Sequence, residues 1–446
     1  MSKNKTKTSN NLNASILNKL GIEALNPMQE EANETIKSKS DVVLLSPTGT
    51  GKTLAFLLPL IGTLDLKCEE IQLLILVPSR ELAQQIEKVA REMGSGFKIN
   101  SIYGGRSGQL DKIDLKTRPA ILIGTPGRIA DRFRRDDFSL DHIKTLVLDE
   151  FDKSLEIGFE KEMAEIIDAL PNVEQRILTS ATSDAKIPEF VGLKKPVAID
   201  YLAENESQLT VKTLLSNEKD KLIALKKALA FIGPKPGIIF CNFKDALDRV
   251  SDYLFENQID HQCFHGGMEQ IDRERALIKF RNGTSQLLLA TDLAARGLDI
   301  PEIKFIIHYH LPPHKKEFTH RNGRTARMNK DGTAYILQWK DEELPDYVKE
   351  LNCEQLNVEE LRRAENENRP EWKTLHISGG RRDKISKGDI AGLFLKQGNL
   401  QKVQLGVIEL QQNSAYAGVH SEVVKGLIAK TNNTKLKKKK VRITEV

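Results

Sequence analysis

Short apolar runs recur along this chain, and each is followed by a longer segment of helical spacing. Between about residues 13 and 205 the runs are Val42–Leu45, Leu73–Val77, Ile99–Tyr103, Ala120–Ile123, Leu146–Leu148 and Arg176–Leu178. Strand-like runs alternating with helices predict an α/β domain, a parallel sheet with helices on both faces. A polar stretch, Glu204-Asn205-Glu206-Ser207, separates it from a second series of the same style. That series has Gly237–Phe240, Gln262–Phe264, Gln286–Ala290, Ile303–His308 and Gly332–Ile336.

The charged segment Val358–Asn368 reads as a helix trailing into a linker. Beyond it the pattern changes. Strands are expected at Lys373–Ser378, Gln404–Leu410, Ala415–Val419 and Lys440–Thr444, with helices at Asp389–Lys396 and Ser421–Ala429. This split βαβ order is that of a small α+β RRM-like module. The expected organisation is a disordered basic N-terminus over 1–12, α/β domains over 13–205 and 206–345, a linker over 346–370 and the small module over 371–446.

Composition sharpens this in two places. At 446 residues about three domains are expected. The net charge of +5 is uneven. From Glu371 onward there are 15 Lys and Arg against 6 Asp and Glu, net +9, so residues 1–370 carry −4. A basic module on a near-neutral body suggests a tether to a polyanion. Its densest segment is Lys435-Leu436-Lys437-Lys438-Lys439-Lys440-Val441-Arg442, and the alternation that follows predicts lysines on a folded edge rather than a solvated tail. The longest apolar run, near Leu54 to Leu64, is interrupted by Pro59 and Gly62, so no membrane partner is expected. The basic start lacks a following apolar segment, which argues against a signal peptide. The cysteines Cys68, Cys241, Cys263 and Cys353 have no metal spacing and read as reduced cytoplasmic thiols.

The candidate chemistry begins at Ser46-Pro47-Thr48-Gly49-Thr50-Gly51-Lys52-Thr53, between the run Val42–Leu45 and the helical Leu54–Leu58. Such a strand–loop–helix turns successive backbone N–H groups toward one anion at the positive end of a helix dipole. Lys52 adds a point charge, and Thr53 offers a hydroxyl to a metal ion. Ser46 stands where the general pattern has Gly. The run Thr145–Leu148 then ends in Asp149-Glu150. A buried strand delivering two carboxylates suits a Mg²⁺-nucleotide site, with Asp149 on the metal, directly or through water, and Glu150 orienting the attacking water. In the second series, Arg324 and Arg327 within His320–Arg327 could reach a triphosphate from the opposite domain.

With these elements in order, the sequence resembles the DEAD-box RNA helicase family. The resemblance is carried by Asn26-Pro27-Met28-Gln29, the loop above, Pro78–Gln85, Gly104-Gly105, Thr125-Pro126-Gly127-Arg128, Asp149-Glu150-Phe151-Asp152 and Ser180-Ala181-Thr182. It continues through Ile238–Asn242, Gln270 with Arg273, Ala290–Asp299 and His320–Arg327. It implies two tandem RecA-like parallel-sheet domains that bind ATP and Mg²⁺ and close on RNA. By the same resemblance Gln29 reads the adenine edge, while Thr48, Gly49, Thr50, Gly51, Lys52 and Thr53 hold phosphates, and Thr53 and Asp149 hold Mg²⁺. Asp299 would touch the ribose, and Arg324 and Arg327 would act as arginine fingers. Asp152, Ser180, Thr182 and His320 would couple the nucleotide to closure. Pro78, Arg80, Gly105, Thr125, Gly127, Arg128, Arg273 and Thr291 would line the RNA track.

Some positions depart from the family. Phe151 replaces the usual Ala, Ser79 the usual Thr and Ala326 the usual Gly, while the carboxylates stay in place. The aromatic residue expected upstream of Gln29 falls near Leu12, which implies weaker stacking on adenine. In the tail, Thr374–Ile377, Gly379–Ile385 and Gly388-Asp389-Ile390 resemble the RNA-binding domain of the DbpA-type helicases, a group whose module binds large-subunit ribosomal RNA. Aromatic residues on the expected sheet are few, so RNA binding is assigned to Arg381, Arg382, Lys384, Lys387 and the final lysines.

The resulting expectation is a monomeric, cytoplasmic, ATP-dependent RNA helicase acting on 23S-type ribosomal RNA or a large-subunit precursor. A DNA helicase and an ATP-gated RNA clamp with little turnover are the rival readings.

Overall fold

The computed structural model describes residues 13–38, 40–105, 108–135, 139–182, 186–202, 209–292, 303–325, 331–364 and 371–446. The described residues divide into two compact units, 13–202 and 209–446.

The first unit is a seven-stranded sheet. Its strands are β1 (Val42–Leu45), β2 (Leu73–Leu76), β3 (Ile99–Ile102), β4 (Ile121–Gly124), β5 (Thr145–Leu148), β6 (Gln175–Ser180) and β7 (Val197–Asp200). Their order is β3-β4-β2-β5-β6-β1-β7, and all pairings are parallel. The central strands are apolar at nearly every position because helices cover both faces. One face packs Leu44, Leu73, Ile75, Ile121 and Val147 against helices Pro27–Lys37, Lys52–Ile61 and Arg80–Glu92. The other packs Leu74, Leu122, Leu146 and Leu178 against Ile129, Met163 and Ile166.

The second unit carries another seven-stranded parallel sheet. Its strands are β8 (Leu209–Ser216), β9 (Gly237–Phe240), β10 (Gln262–Phe264), β11 (Leu287–Ala290), β12 (Phe305–His308), β13 (Gly332–Trp339) and β14 (Glu354–Asn357), in the order β10-β11-β9-β12-β13-β8-β14. The same unit contains the C-terminal sheet: β15 (Trp372–Ile377), β16 (Leu405–Leu410), β17 (Ala415–His420) and β20 (Ile443–Glu445), antiparallel in the order β16-β17-β15-β20. A small hairpin, β18 (Lys435–Leu436) with β19 (Lys439–Lys440), precedes the last strand.

Three expectations are corrected. Residues 346–357 are not linker: Asp346–Lys349 is a helix, and Glu354–Asn357 pairs with β8 as the edge of the second sheet. Residues 358–364 form a turn and irregular backbone, not a helix, their backbone bonding outward: Val358 N–H donates to the Leu215 carbonyl and Ala364 N–H to the Ala230 carbonyl. The lysine run lies on the hairpin β18–β19, and the terminal strand begins later, at Ile443. The N-terminal segment 1–12 lies outside the described residues.

Gly237 shows how tightly the second sheet is packed. A Cβ there would sit 2.2 Å from the Phe305 ring on the adjacent strand. Gly237→Ala is expected to destabilise the second unit by about 1–3 kcal/mol through overpacking. Gly426, on an exposed helical turn with nothing within 4 Å, is the control. Its Ala variant should be stabilising by roughly 0.5–1 kcal/mol, and urea midpoints of the two variants check the contrast.

Candidate nucleotide and RNA sites

Strand order divides the carboxyl edge of the first sheet into two halves. On one half, β5, β6 and β1 lie side by side, so Asp149-Glu150, Thr179-Ser180 and the loop from Ser46 leave the sheet as neighbours. Ser46 N–H donates to the Ser180 carbonyl at 3.1 Å, joining loop and strand end. On the other half, β3, β4 and β2 deliver Gly104-Gly105, Thr125–Arg128 and Pro78–Arg80. Ligands of open parallel sheets bind at such carboxyl ends.

The loop is held shut by its own groups. Lys52 is buried and its ammonium donates to the carbonyls of Ser46 at 2.6 Å and Pro47 at 2.8 Å. Ser46 Oγ donates to Thr50 Oγ1, which donates to the Pro47 carbonyl. Gly51 has φ +86° and caps the helix Lys52–Ile61. The positive φ at Gly51 favours glycine, and a Cβ there would displace the Gln29 amide, whose Nε2 it would meet at 2.3 Å. Gln29 thus lies on the loop, its Nε2 donating to the Gly51 carbonyl at 3.3 Å. Asn26 caps the Gln29 helix and donates through Nδ2 to the Thr50 carbonyl at 3.0 Å, so the segment 26–29 and the loop are one assembly.

The carboxylates sit directly across. Asp149 is 3% exposed, and burial, then the charge of Glu150, push its carboxyl up to about 6. Thr179 Oγ1 donates to Asp149 Oδ1, and the Glu150 backbone N–H donates to Thr179 Oγ1 at 3.1 Å. Glu150 holds φ +48° at the start of helix Phe151–Glu156, a left-handed conformation that is strained for a non-glycine residue. Asp152 is buried and accepts from Thr182 Oγ1 at 3.4 Å, while Ser180 Oγ accepts from Thr182 N–H and donates to its carbonyl. Asp152, Ser180 and Thr182 therefore meet. The residue types fit a hard divalent cation, since Asp149 offers carboxylate oxygens and Thr53 a hydroxyl oxygen, and a cation there would offset the burial that disfavours the ionised Asp149.

On the other half, the Arg80 guanidinium lies against Gly104 and Gly105, where a Cβ at Gly105 (φ +83°) would meet Nη1 at 2.5 Å. Pro78 and Thr125 are buried, and Gly127 lies in the first turn of the helix Pro126–Arg135 that carries Arg128. Arg128 is locked by Asp111, Nε to Oδ2 at 2.6 Å, with Asp111 fully buried.

In the second unit, Arg273 stacks 4.8 Å over the Phe264 ring, and Thr291 N–H bonds to the Phe264 carbonyl, so both lie at the ends of β10 and β11. Arg324 is 5% exposed, and His320 lies one turn before it at the end of helix Lys315–Asn322. Asp299 and Arg327 lie outside the described residues. In the C-terminal module, Arg381, Arg382 and Lys384 are exposed on one turn. Asp383 beneath them accepts from Lys439 at 2.8 Å, and Asp389 from Lys437 at 2.9 Å, which joins the turn to the lysine hairpin.

Two groups were missed. Thr179 is marked in sequence only as a polar residue closing an apolar run. Arg321, 2% exposed, joins Asp292 through two bonds of 2.5 and 2.7 Å, Asn242 at 2.7 Å and the His310 carbonyl at 2.6 Å. It ties β9, β11 and β12 to the helix that precedes Arg324.

The sequence matches the DEAD/DEAH box helicase family over residues 26–190, the helicase conserved C-terminal domain over 220–329 and the DbpA RNA binding domain over 374–445. It is 31% identical to the ATP-dependent RNA helicase DbpA of Escherichia coli (strain K12) over 444 residues, covering 96% of this chain and 95% of that one. The chain belongs to the DEAD-box RNA helicases, in their DbpA-like group. The DbpA of Bacillus subtilis (strain 168) is 29% identical over 459 residues, with 96% and 95% covered. Among solved structures, Mss116p bound to ssRNA and AMP-PNP superposes with a TM-score of 0.70 at 26% identity, covering 78% of this chain and 77% of that one. S. cerevisiae Dbp5 bound to RNA and ADP BeF3 shares the fold, with a TM-score of 0.67 at 24% identity, covering 78% and 93%. As a DEAD-box enzyme, this protein is an RNA-dependent ATPase. No helix among the described residues is long and apolar enough to cross a membrane.

Thr179→Val removes the hydroxyl shared by Asp149 and Glu150 while keeping side-chain shape. RNA-stimulated ATP turnover is expected to fall about tenfold and the melting temperature to fall by several degrees, since a buried hydrogen bond to a charged group contributes roughly 1.5–3 kcal/mol to stability.

Proposed function

We propose that this DEAD-box protein uses ATP to open short RNA duplexes locally and that its target is large-subunit ribosomal RNA, of the 23S type or its precursor. The supporting observation is the division of one sheet edge into a triphosphate cradle at β5-β6-β1 and an Arg80–Gly105–Arg128 surface at β3-β4-β2. The nucleotide and RNA candidates of the first unit therefore share one sheet edge.

In this reading Gln29 recognises adenine, and residues 48–53 hold the phosphates. Lys52 exchanges two loop carbonyls for phosphate oxygens, a stronger partner for an ammonium. Thr53 and Asp149 would hold Mg²⁺, which would neutralise charge on the phosphates. Glu150 orients the attacking water, and its fixed backbone turn aims the carboxylate. Ser180, Thr182, Asp152 and His320 transmit the nucleotide state. Arg324 and Arg327 stabilise the transferring phosphoryl group, and Asp299 holds the ribose. Pro78, Gly105, Thr125, Gly127, Arg80, Arg128, Arg273 and Thr291 bind a bent strand through phosphates and backbone. ATP and RNA together favour the closed arrangement, and hydrolysis releases it.

The DbpA-type module supports the ribosomal target, and its exposed Arg381, Arg382 and Lys384 supply phosphate contacts. The enzyme acts as a monomer in the cytoplasm, in line with its four free thiols.

Lys52→Ala and Glu150→Gln are each expected to lower RNA-stimulated ATP turnover about 100-fold or more, measured as steady-state phosphate release. Retained turnover in both would refute the site. Arg381→Ala should weaken binding of a large-subunit ribosomal RNA hairpin and reduce the slope of log K against log salt by about 1. Equal stimulation by DNA of the same sequence would argue for the rival substrate.

A further inference from the structure

The strands of the second sheet finish level with one another at their carboxyl ends. Cys241 N–H donates to the Ala290 carbonyl at 3.0 Å, and Thr291 N–H to the Phe264 carbonyl at 3.3 Å, so β9, β11 and β10 stop in one row. Asn242 Nδ2 donates to the Leu311 carbonyl at 2.8 Å and brings in the end of β12. Arg273 and Thr291, the RNA candidates of this unit, stand on that row. Phe243 follows Asn242 directly, and it is 71% exposed.

Nothing in the local structure asks for a ring there. Phe243 is the N-cap of the helix Lys244–Glu256, with φ −125° and ψ 150°, and makes no side-chain cap. Ser, Thr, Asp or Asn at that position would accept from a first-turn N–H and hold the helix more firmly. An exposed phenylalanine contributes little to the core in exchange. A residue that gives up a cap and gains no packing breaks the local rule, as functional positions do. Asp245 in the first turn already answers the positive end of the helix. The ring, not the helix end, is what this position adds to the surface.

Single exposed apolar side chains are common, and the surroundings set this one apart. Lys244 is exposed, and its Cδ lies 3.4 Å from where a Cβ on Gly267 would sit. It therefore spans from β9 to the turn after β10, past the end of β11. Gly266 and Gly267 are both exposed in that turn. Gly266 has no positive φ and nothing within 4 Å of a Cβ, so neither backbone nor packing requires glycine, and the bare peptide groups admit close approach. Asp292, the carboxylate at the end of β11, is taken up by Arg321 at 2.5 and 2.7 Å. The surface offers a ring beside a lysine, a hydroxyl and uncovered peptide groups. Single-stranded nucleic acid needs that combination: cations and N–H groups hold phosphates, and a ring holds a base by its face.

We propose that Phe243 stacks on an unpaired base of RNA held along the carboxyl edge of the second sheet. It adds a base contact to a track otherwise gripped through phosphates. This rests on the RNA-binding role given above to Arg273 and Thr291. Every base has a π-face, so the ring adds affinity for single strands without strict sequence choice.

Fluorescence anisotropy of the full-length protein with AMP-PNP and a labelled adenine RNA decamer tests this. Phe243→Thr should weaken binding about tenfold, the effect of losing one stacked base. The same substitution should raise the melting temperature by about 2 °C, because threonine caps the helix. Phe243→Trp should bind as tightly as the unaltered protein. A decamer of abasic nucleotides should bind the unaltered protein and Phe243→Thr equally. Unchanged affinity of Phe243→Thr for the adenine decamer overturns the proposal. An equal loss on the abasic decamer also overturns it, since the ring would then touch backbone. A loss with a lower melting temperature that Phe243→Trp does not rescue makes the ring structural and overturns it too. Thr291→Val separates this from the track on which it rests. If Thr291→Val weakens binding and Phe243→Thr does not, the track stands and the stacking fails. If only Phe243→Thr weakens it, the stacking stands and the role of Thr291 fails.

Discussion

Hydrogen bonding among three parallel strands fixes the candidate nucleotide site. Residues 46–53, 149–152 and 179–182 are far apart in sequence, yet β5, β6 and β1 bring them to one edge in one register. Leu148 pairs with Leu178, so Asp149 and Thr179 emerge side by side, and Leu45 pairs with Ser180, so the loop begins beside Ser180. A slip of one residue would turn Thr179 to the opposite face and break its bond to Asp149. The apolar layers on both sides of the sheet prevent such a slip, because it would expose one core and overfill the other. Core packing and catalytic geometry are therefore one constraint.

The second unit uses a buried ion for a similar purpose. Removing a guanidinium from water is costly unless its donors are met. Arg321 meets that demand with a bidentate Asp292, Asn242 and a backbone carbonyl. It also stacks 5.0 Å over Phe240. Nearby His308 is fully buried, bonded to Asn322 and driven down to about 3 by burial and by Arg321, so it stays neutral. An apolar residue at position 321 would not link three strand ends to the helix before Arg324. The cluster holds these segments as a unit, which any arginine finger needs if it is to be aimed.

Much of this was legible because the responsible signals are local. Glycines at 49 and 51, a lysine and a threonine after an apolar run can form little other than an anion-binding turn, and the structure has positive φ at both glycines. Apolar runs gave the buried central strands. Edge and flanking strands were less visible. β7 has three exposed positions of four, β8 mixes polar and apolar residues, and β14 has no fully buried residue, so none produces a clear run. The boundary of the second domain was misplaced for that reason. The end of the lysine run reads as the start of the last strand, but its two apolar anchors, Leu436 and Val441, are buried in the module's core before the strand begins at Ile443.

The sequence by itself determined the chemistry available: a phosphate loop, paired carboxylates, arginines in a second domain and a basic C-terminal module, each a short contiguous segment with its own backbone preference. Tertiary structure decided which of these groups meet. It placed Thr179 between Asp149 and Glu150, put Asp111 on Arg128, buried Arg321 among three strands and laid Asn282 on Thr374. These contacts join residues 17 to 92 positions apart. Strand order and face set them, and both follow from how whole sheets bury their apolar layers rather than from any local pattern.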